Sequence, residues 1–425
     1  MYKPVDVISV SIWGEAVGAV SLDPASGYYV FEYNRAWQKR SIELAPFTMP
    51  VNQSQFVFPS LSQITYRRLP AMLADALPDN FGNALIDAYL AKEGIPKNAI
   101  TELDRLAYMG TRGMGALEFK PERGPKAKTP TAIEISELVI SARQALSGNF
   151  ATDKQSQAAL MNLIRVGTSA GGARAKAIIA WNPITEDICS GQLEAPPGFE
   201  YWLLKFDGIG SDLELGPGNH YGRVEYAYYL MALAAGITMG ESRLFKENRR
   251  AHFMTCRFDR ANGKKIHIQT LCAISHLDFN QRATHDYSQF FETIRSLHLP
   301  EEDLVEGFRR MVFNVVAANC DDHTKNLSFM MFPDGEWRLS PAYDVTFAYN
   351  PLGRWTHQHL MSVNGKFNNI DIDDIMLAGE RYGIPMKKDV FKKVRDAVKR
   401  WPEFANEAGL NKAEIKRIQS NFLIK

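Results

Sequence analysis

Cysteine is scarce in this chain. Cys189, Cys256, Cys272 and Cys320 are the four in 425 residues, and no two form a C-x-x-C pair. That spacing offers neither a zinc site nor a disulfide framework, and it fits a reducing compartment. A surplus of charge is missing as well. Lys and Arg number 49 against 48 Asp and Glu, a formal net charge of +1. This is not the basic footprint of a chain that binds nucleic acid by itself, although a local basic patch stays open. Long apolar runs are absent too. The longest, "YAYYLMALAAGI" (226–237), is too short to span a bilayer, and the opening "MYKPVDVISVSIWGE" lacks the apolar core of a signal peptide. The expectation is a soluble, cytoplasmic protein of about two to three domains.

No internal repeat is evident. Ile8, Val10 and Ile12 alternate with Ser9 and Ser11, and "GEAVGAVSLD" and "GYYVFEYN" follow between Gly and Asp turns. This predicts a small antiparallel meander. "LPAMLADALPDNFGNALIDAYLAKEGI" has helical spacing and ends near Gly94 and Pro96. The first domain is therefore α+β, over residues 1–120. "KPERGPKAKTPTAIEI" (120–135) reads as an exposed connection, and "EISELVISARQAL" as an amphipathic helix. Short strands return at "AKAIIAW", "YWLLKFD" and "AHFMTCRFD", interrupted by a helix over 223–235. Helical patterns then dominate, at 285–297, 301–318 and 387–400. The reading is a β-rich lobe over 121–260 and an α-rich lobe over 261–425.

The charged cluster "DDHTKN" lies between two apolar runs of the α-rich half. Charges beside a core are costly to desolvate unless partnered. Asp321 and Asn326 stand in D-x4-N spacing, as in a kinase catalytic loop, where the Asp accepts the acceptor hydroxyl's proton and the Asn ligates magnesium. By itself the spacing is equally a helix C-cap and turn. A His-Asp phosphohydrolase site is discounted, because the order here is Asp322-His323 and no second pair occurs. Asp344, in "LSPAYDVTF", follows a short strand at the offset of a second metal-binding Asp. "RVGTSAGGARAKAIIAW" is a Gly-rich turn that runs into a strand, with Lys176 at the junction. Small residues there let backbone N–H groups approach phosphate oxygens. Ala173 stands where a Walker loop needs Lys, so that reading fails. Lys205, on a strand with Tyr201 and Leu203 on its face, needs an anion nearby. Glu225, early in the next helix, is its candidate partner. Met254 to Phe258 is a candidate hinge that offers backbone groups to an adenine. Glycine loop, strand lysine, helix glutamate, hinge, D-x4-N and metal aspartate occur in the order of a kinase.

These motifs together resemble the HipA-type serine/threonine kinases, the toxins of bacterial toxin–antitoxin pairs. "LADALPDNFGNAL" and "MGTRGMGALEF" are similar to that family's N-terminal domain. "TSAGGARAKA", "LLKFDG", "RFDR", "DDHTKN" and "LSPAYDV" are similar to its kinase core. The resemblance implies a two-lobed protein-kinase-like α+β fold with a small N-terminal domain and an α-helical C-terminal lobe. It implies ATP and magnesium, with Asp321 as catalytic base and Asn326 and Asp344 on the metal. Lys205, oriented by Glu225, would contact the α- and β-phosphates. Ser169, Ala170, Gly171, Gly172, Ala173 and Lys176 would cover the phosphates, and Lys325 would also meet the nucleotide. Met254, Thr255, Cys256 and Phe258 would line the base site. Ser169, or Thr168, would be an autophosphorylation site, where roughly two added negative charges disfavour nucleotide binding. A HipB-like antitoxin would carry the contact to operator DNA. Two departures bear on substrate and loop regulation. The loop reads Gly-Gly-Ala-Arg-Ala-Lys where Gln-Glu often precedes the lysine, and Cys256 stands where an acid is usual. A small-molecule kinase on this scaffold and a non-catalytic antitoxin-binding corepressor are the alternatives.

Overall fold

The computed structural model describes residues 2–78, 80–125, 137–138, 140–142, 163–164, 175–207, 220–247, 250–261 and 263–424. The amino-terminal alternation builds an antiparallel sheet. Strands β1 (Val7–Ile12), β2 (Glu15–Leu22), β3 (Tyr29–Tyr33), β4 (Gln55–Phe56) and β5 (Leu117–Lys120) lie in the order β4-β3-β2-β1-β5. Ile8, Val10 and Ile12 are fully buried while Val7 and Ser9 are exposed, because a strand's side chains alternate between faces. Helices fill the gap between β4 and β5, and the chain then returns beside β1 with Phe119 opposite Val10. The one helical run expected over 69–95 is two helices, Ala71–Asp75 and Asn80–Lys92. Pro78 falls between them, and it can neither donate a helical hydrogen bond nor favour helix in the residue before it. Much of the connection expected over 120–135 and of the helix after it lies outside the described residues.

A second antiparallel sheet holds β6 (Lys176–Trp181), β7 (Ile188–Ser190), β8 (Glu200–Lys205), β9 (Ser242–Glu247) and β10 (Arg250–Cys256), in the order β7-β6-β8-β10-β9. Ile179, Trp202, Leu204 and Met254 form its apolar core. The helix Tyr221–Ala235 crosses this sheet closely. At Gly222 a Cβ would lie 2.2 Å from the Ala251 carbonyl oxygen, so only glycine permits the approach. The helix stops at Gly236, whose φ of +86° is left-handed, and the Ile237 N–H closes the end on Ala232 O at 3.0 Å.

The last third is mainly helical: Tyr287–Ser296, Glu301–Val316, Ile372–Arg381, Lys387–Lys399, Trp401–Glu407 and Lys412–Gln419. The sequence places acids at the start of Glu301–Val316, where Glu301, Glu302 and Asp303 meet the positive end of the helix dipole. A small sheet pairs His267–Thr270 with Ser328–Met331, and Ser328–Met331 with Trp337–Leu339, the last being the short strand expected before Asp344.

The first sheet is stapled to the segment that links the other two parts. Asp259, fully buried, accepts from Arg257 Nε at 2.8 Å, Arg257 Nη2 at 2.7 Å, Arg260 Nη1 at 2.7 Å and the Gly115 N–H at 2.8 Å. Burial alone would raise this carboxyl. Arg257 and Arg260 outweigh that and bring it down to about 2. Its stabilising contribution is therefore complete above the unfolded value and is lost as pH falls through the folded one. Between pH about 4 and about 2, the wild type should lose about 2 to 3 kcal/mol from this group. Denaturant unfolding of wild type and Asp259→Asn across that range checks this. The two curves should converge in acid, and a constant gap would contradict the assignment.

Candidate active site

Strand alternation on β8 turns Trp202 and Leu204 into the core and Leu203 and Lys205 onto a cleft between the lobes. Lys205 stands opposite Lys176 on β6 and Phe253 on β10. Two cationic strand residues side by side repel unless carboxylates accompany them. The Lys205 ammonium, with a side chain only 10% exposed, contacts the carboxylates of both Glu225 and Asp344. Burial alone would lower the Lys205 pKa, but Asp344 and Glu225 outweigh it and hold the lysine above its ordinary value. Burial likewise would raise Asp344. Lys205, then Lys176 and His323, keep that carboxyl well below the usual range.

Asp344 comes from the loop after Trp337–Leu339 and has a φ of +53°. That left-handed backbone costs a non-glycine residue about 1 kcal/mol. Asp321 and Asn326 come from the loop after the helix Glu301–Val316. The Asn326 amide donates to the Asp321 carbonyl oxygen at 2.8 Å, which commits its NH2 end and leaves its oxygen as the other end of the amide. The Asp321 side chain is 43% exposed, with His323 Nε2 at 3.7 Å. A small cavity of about 20 Å³ is lined by Asp321, Asn326 and Asp344, with Asn314, Asn319 and Asp322. It shares Asn326, Ala342, Tyr343 and Asp344 with the main cleft, a cavity of about 120 Å³. The residues read from distant parts of the sequence thus meet at the junction of the two.

Lys176, Lys205, Glu225, Thr255, Cys256, Phe258, Lys325, Asn326 and Asp344 all line the main cleft. Glu225 sits two positions further into its helix than expected, because the helix starts at Tyr221 and not at 223. The Met254 side chain does not line the cleft. Alternation on β10 turns its side chain, 1% exposed, into the core with Trp202 and Leu204. Within the hinge, the Cys256 and Arg257 amides are already engaged, by Glu241 O at 2.7 Å and Tyr201 O at 2.8 Å. Burial pushes the Cys256 thiol up to about 11, with Glu200 adding, so it is not a poised nucleophile. Thr168, Ser169, Ala170, Gly171, Gly172 and Ala173 lie outside the described residues.

Sequence reasoning missed the wall contributed by the first sheet's helices. Met72, Asp75 and Ala76 line the cleft beside Lys325 and Tyr343. Asp75 accepts from Thr270 N at 2.8 Å and Thr270 Oγ1 at 2.9 Å. Burial raises its carboxyl, and Lys325 works against that. Its setting in "LADALPDN" is an amphipathic helix like any other, so no local signal marked it. Among the described residues, no group of three or more His, Cys, Asp or Glu is placed to hold a metal ion. Asp321, Asn326 and Asp344 bring oxygen atoms of the kind a hard cation prefers to the lining of the small cavity.

An antiparallel sheet carrying a buried lysine, a facing helix carrying its glutamate, and a helical lobe carrying D-x4-N and a further Asp form a two-lobed protein-kinase-like α+β fold. The chain belongs to the HipA family. The HipA-like C-terminal domain matches residues 168–423 and the HipA N-terminal domain residues 8–120. Among solved structures, it is similar to the HipA chain of the Shewanella oneidensis MR-1 complex of HipA, HipB and operator DNA. That match has a TM-score of 0.67 at 18% identity, over 97% of this chain and 95% of that one. The Helicobacter pylori proinflammatory kinase CtkA matches over 59% of this chain and 90% of its own, at 13% identity and a TM-score of 0.38, which is too distant to carry an argument. No curated protein matches the sequence.

Lys205→Met would leave Glu225 and Asp344 facing each other with no cation between them. Stability at neutral pH should fall by about 3 kcal/mol. The deficit should shrink in acid, because the Asp344 carboxyl that Lys205 holds low in the wild type is no longer held so, and its protonation removes the repulsion. Chemical denaturation at pH 7 and pH 5 checks this, and a deficit that grows in acid would contradict it.

Proposed function

We propose that this chain is an ATP- and magnesium-dependent serine/threonine protein kinase of HipA type. The observation that carries the reading is the junction described above, where Asp321, Asn326 and Asp344 line one small cavity that opens onto the cleft holding Lys205 and Glu225. ATP is the phosphoryl donor. The all-oxygen donor set fits magnesium, which Asn326 and Asp344 would hold and which would neutralise charge on the phosphates.

The residues then have distinct tasks. Lys205 and Lys176 meet the phosphates, and an anion there relieves their mutual repulsion. Glu225 keeps Lys205 directed when Asp344 turns to other partners. Phe258 and Tyr343, with ring centroids 5.8 Å apart, offer flat apolar surface beside the hinge for a base. Asp321, the more exposed of the loop acids, is reachable by a protein hydroxyl. Its carboxylate accepts the hydroxyl proton as the oxygen bonds to the γ-phosphorus. The bond from phosphorus to the β–γ bridging oxygen breaks, and ADP leaves with that electron pair. Most of the rate comes from positioning and charge stabilisation.

A serine or threonine of a protein is the acceptor, and the chain acts as a toxin held by a HipB-like antitoxin. The HipB present in the structurally similar complex supports that partner, and operator DNA would be met through it. Ser169, or Thr168, is the site at which autophosphorylation shuts the enzyme off. No helix among the described residues is long and apolar enough to cross a membrane, and a cytoplasmic location is part of this proposal.

Transfer from labelled ATP tests the reading. Wild type should label itself or added protein, but not sugars or aminoglycosides. Asp321→Asn should lose transfer by about 1,000-fold or more while keeping ATP affinity within a few-fold. Unchanged turnover in that variant removes Asp321 as base. Tight MgATP binding by a wild type that transfers nothing favours the corepressor, and label on a small molecule favours the small-molecule kinase.

A further inference from the structure

Asp321 is flanked in the chain by Cys320 and Asp322, and one imidazole touches both. His359 Nδ1 lies 2.9 Å from Asp322 Oδ2, and its Nε2 lies 3.8 Å from Cys320 Sγ. The next residue joins in, since the Leu360 N–H donates to Asp322 Oδ1 at 2.7 Å. From the helix Tyr287–Ser296, the Tyr287 hydroxyl donates to Asp322 Oδ2 at 2.9 Å. Tyr287 in turn accepts from Asn314 Nδ2 at 2.9 Å, and Asn314 Oδ1 accepts from Asn319 Nδ2 at 2.9 Å. The two neighbouring acids could hardly differ more: the Asp322 side chain is 1% exposed and that of Asp321 43%.

A buried charge network of this kind is a poor device for stability alone, since apolar residues of the same volume often do as well or better. What it provides is a fixed backbone on both sides of Asp321. Asn314, Asn319 and Asp322 also line the small cavity with Asp321, Asn326 and Asp344, so the network is the back wall of the site. His359 can donate from both ring nitrogens only as an imidazolium. Burial alone would lower its pKa. Cys320 and Asp322 outweigh that and hold it well above the ordinary value.

We propose that His359 is a positioning residue for phosphoryl transfer, a clamp that grips Cys320 and Asp322 and so fixes the carboxylate between them. The role rests on Asp321 being the base. It separates two functions of one loop, with Asp321 facing the acceptor and Asp322 facing the interior. A displacement of the base by about 1 Å can cost about 100-fold in rate, while the nucleotide's own contacts, on Lys205, Lys176 and the hinge, are untouched.

The experiment compares wild type with His359→Ala, His359→Gln and Val398→Ala. Val398 is fully buried on the helix Lys387–Lys399 and supplies an unrelated loss of stability. His359→Ala should lower kcat roughly 100-fold with ATP affinity within about threefold. His359→Gln, whose amide can still donate to Asp322, should recover at least about tenfold of that loss. Val398→Ala should melt lower yet keep its kcat. Amide hydrogen exchange over 319–326 is read alongside, and His359→Ala should speed it about tenfold or more. Wild-type turnover in His359→Ala, exchange at the wild-type rate in this loop, or no recovery in His359→Gln would each overturn the clamp. If His359→Ala does not fold, His359→Gln decides alone, by whether kcat falls while ATP affinity holds. A wild type that transfers no phosphate overturns the kinase reading and this role with it, whereas an active wild type matched by His359→Ala overturns the clamp alone.

Discussion

A primary ammonium held almost out of water is the constraint from which the site follows. Lys205 cannot stay charged in the interior without anions, and it draws them from two places. Glu225 comes from the helix that crosses the second sheet, and Asp344 from a loop of the helical lobe. One side chain thereby ties the two lobes together across the cleft. Lys176, directly opposite on the neighbouring strand, faces the same cleft, so two ammonium groups and two carboxylates meet there. The proposed nucleotide would enter among them with its cation, and the oxygen donors of Asp321 and Asn326 line the small cavity that adjoins the cleft.

The amino-terminal sheet is part of this machinery. Its apolar core is continuous with that of the helical lobe. Asp259 is bound to Gly115, Trp13 Nε1 donates to Lys265 O at 2.8 Å, and Tyr66 Oη donates to Cys272 O at 3.0 Å. The contacts follow the chain from 259 to 272, the stretch that enters the helical lobe. The cleft wall at Met72, Asp75 and Ala76 depends on that attachment. A change in how the first sheet seats would therefore be felt at Lys325 and Tyr343.

Much of this was legible in the sequence where a local rule carries the information. Alternation fixed the faces of β1 and β8, and the second of these put Lys205 on the cleft. The order of motifs placed Asn326 and Asp344 together although no spacing rule links them. Met254 shows the limit. It was grouped with the hinge by position, but the strand period sends it to the opposite face from Thr255. The break at Pro78 is masked in the sequence because apolar spacing continues on either side. Asp75, Asp322 and His359 were invisible for another reason. Each acts through contacts with residues far along the chain, and a lone acid or histidine has no period to betray its partner. Asp322 reads in the sequence as half of a reversed metal motif, yet its side chain is buried on His359.

The proposed kinase activity depends on a divalent ion gripped between Asn326 and Asp344 under a nucleotide's phosphates. The most direct measurement is anomalous diffraction from crystals grown with manganese and a non-hydrolysable ATP analogue. The expected result is a manganese peak within bonding distance of the Asn326 amide oxygen and an Asp344 carboxylate oxygen, with Lys205 turned to the phosphates. A nucleotide seated in the cleft with Asp344 still on Lys205, and no peak at Asn326, would contradict it.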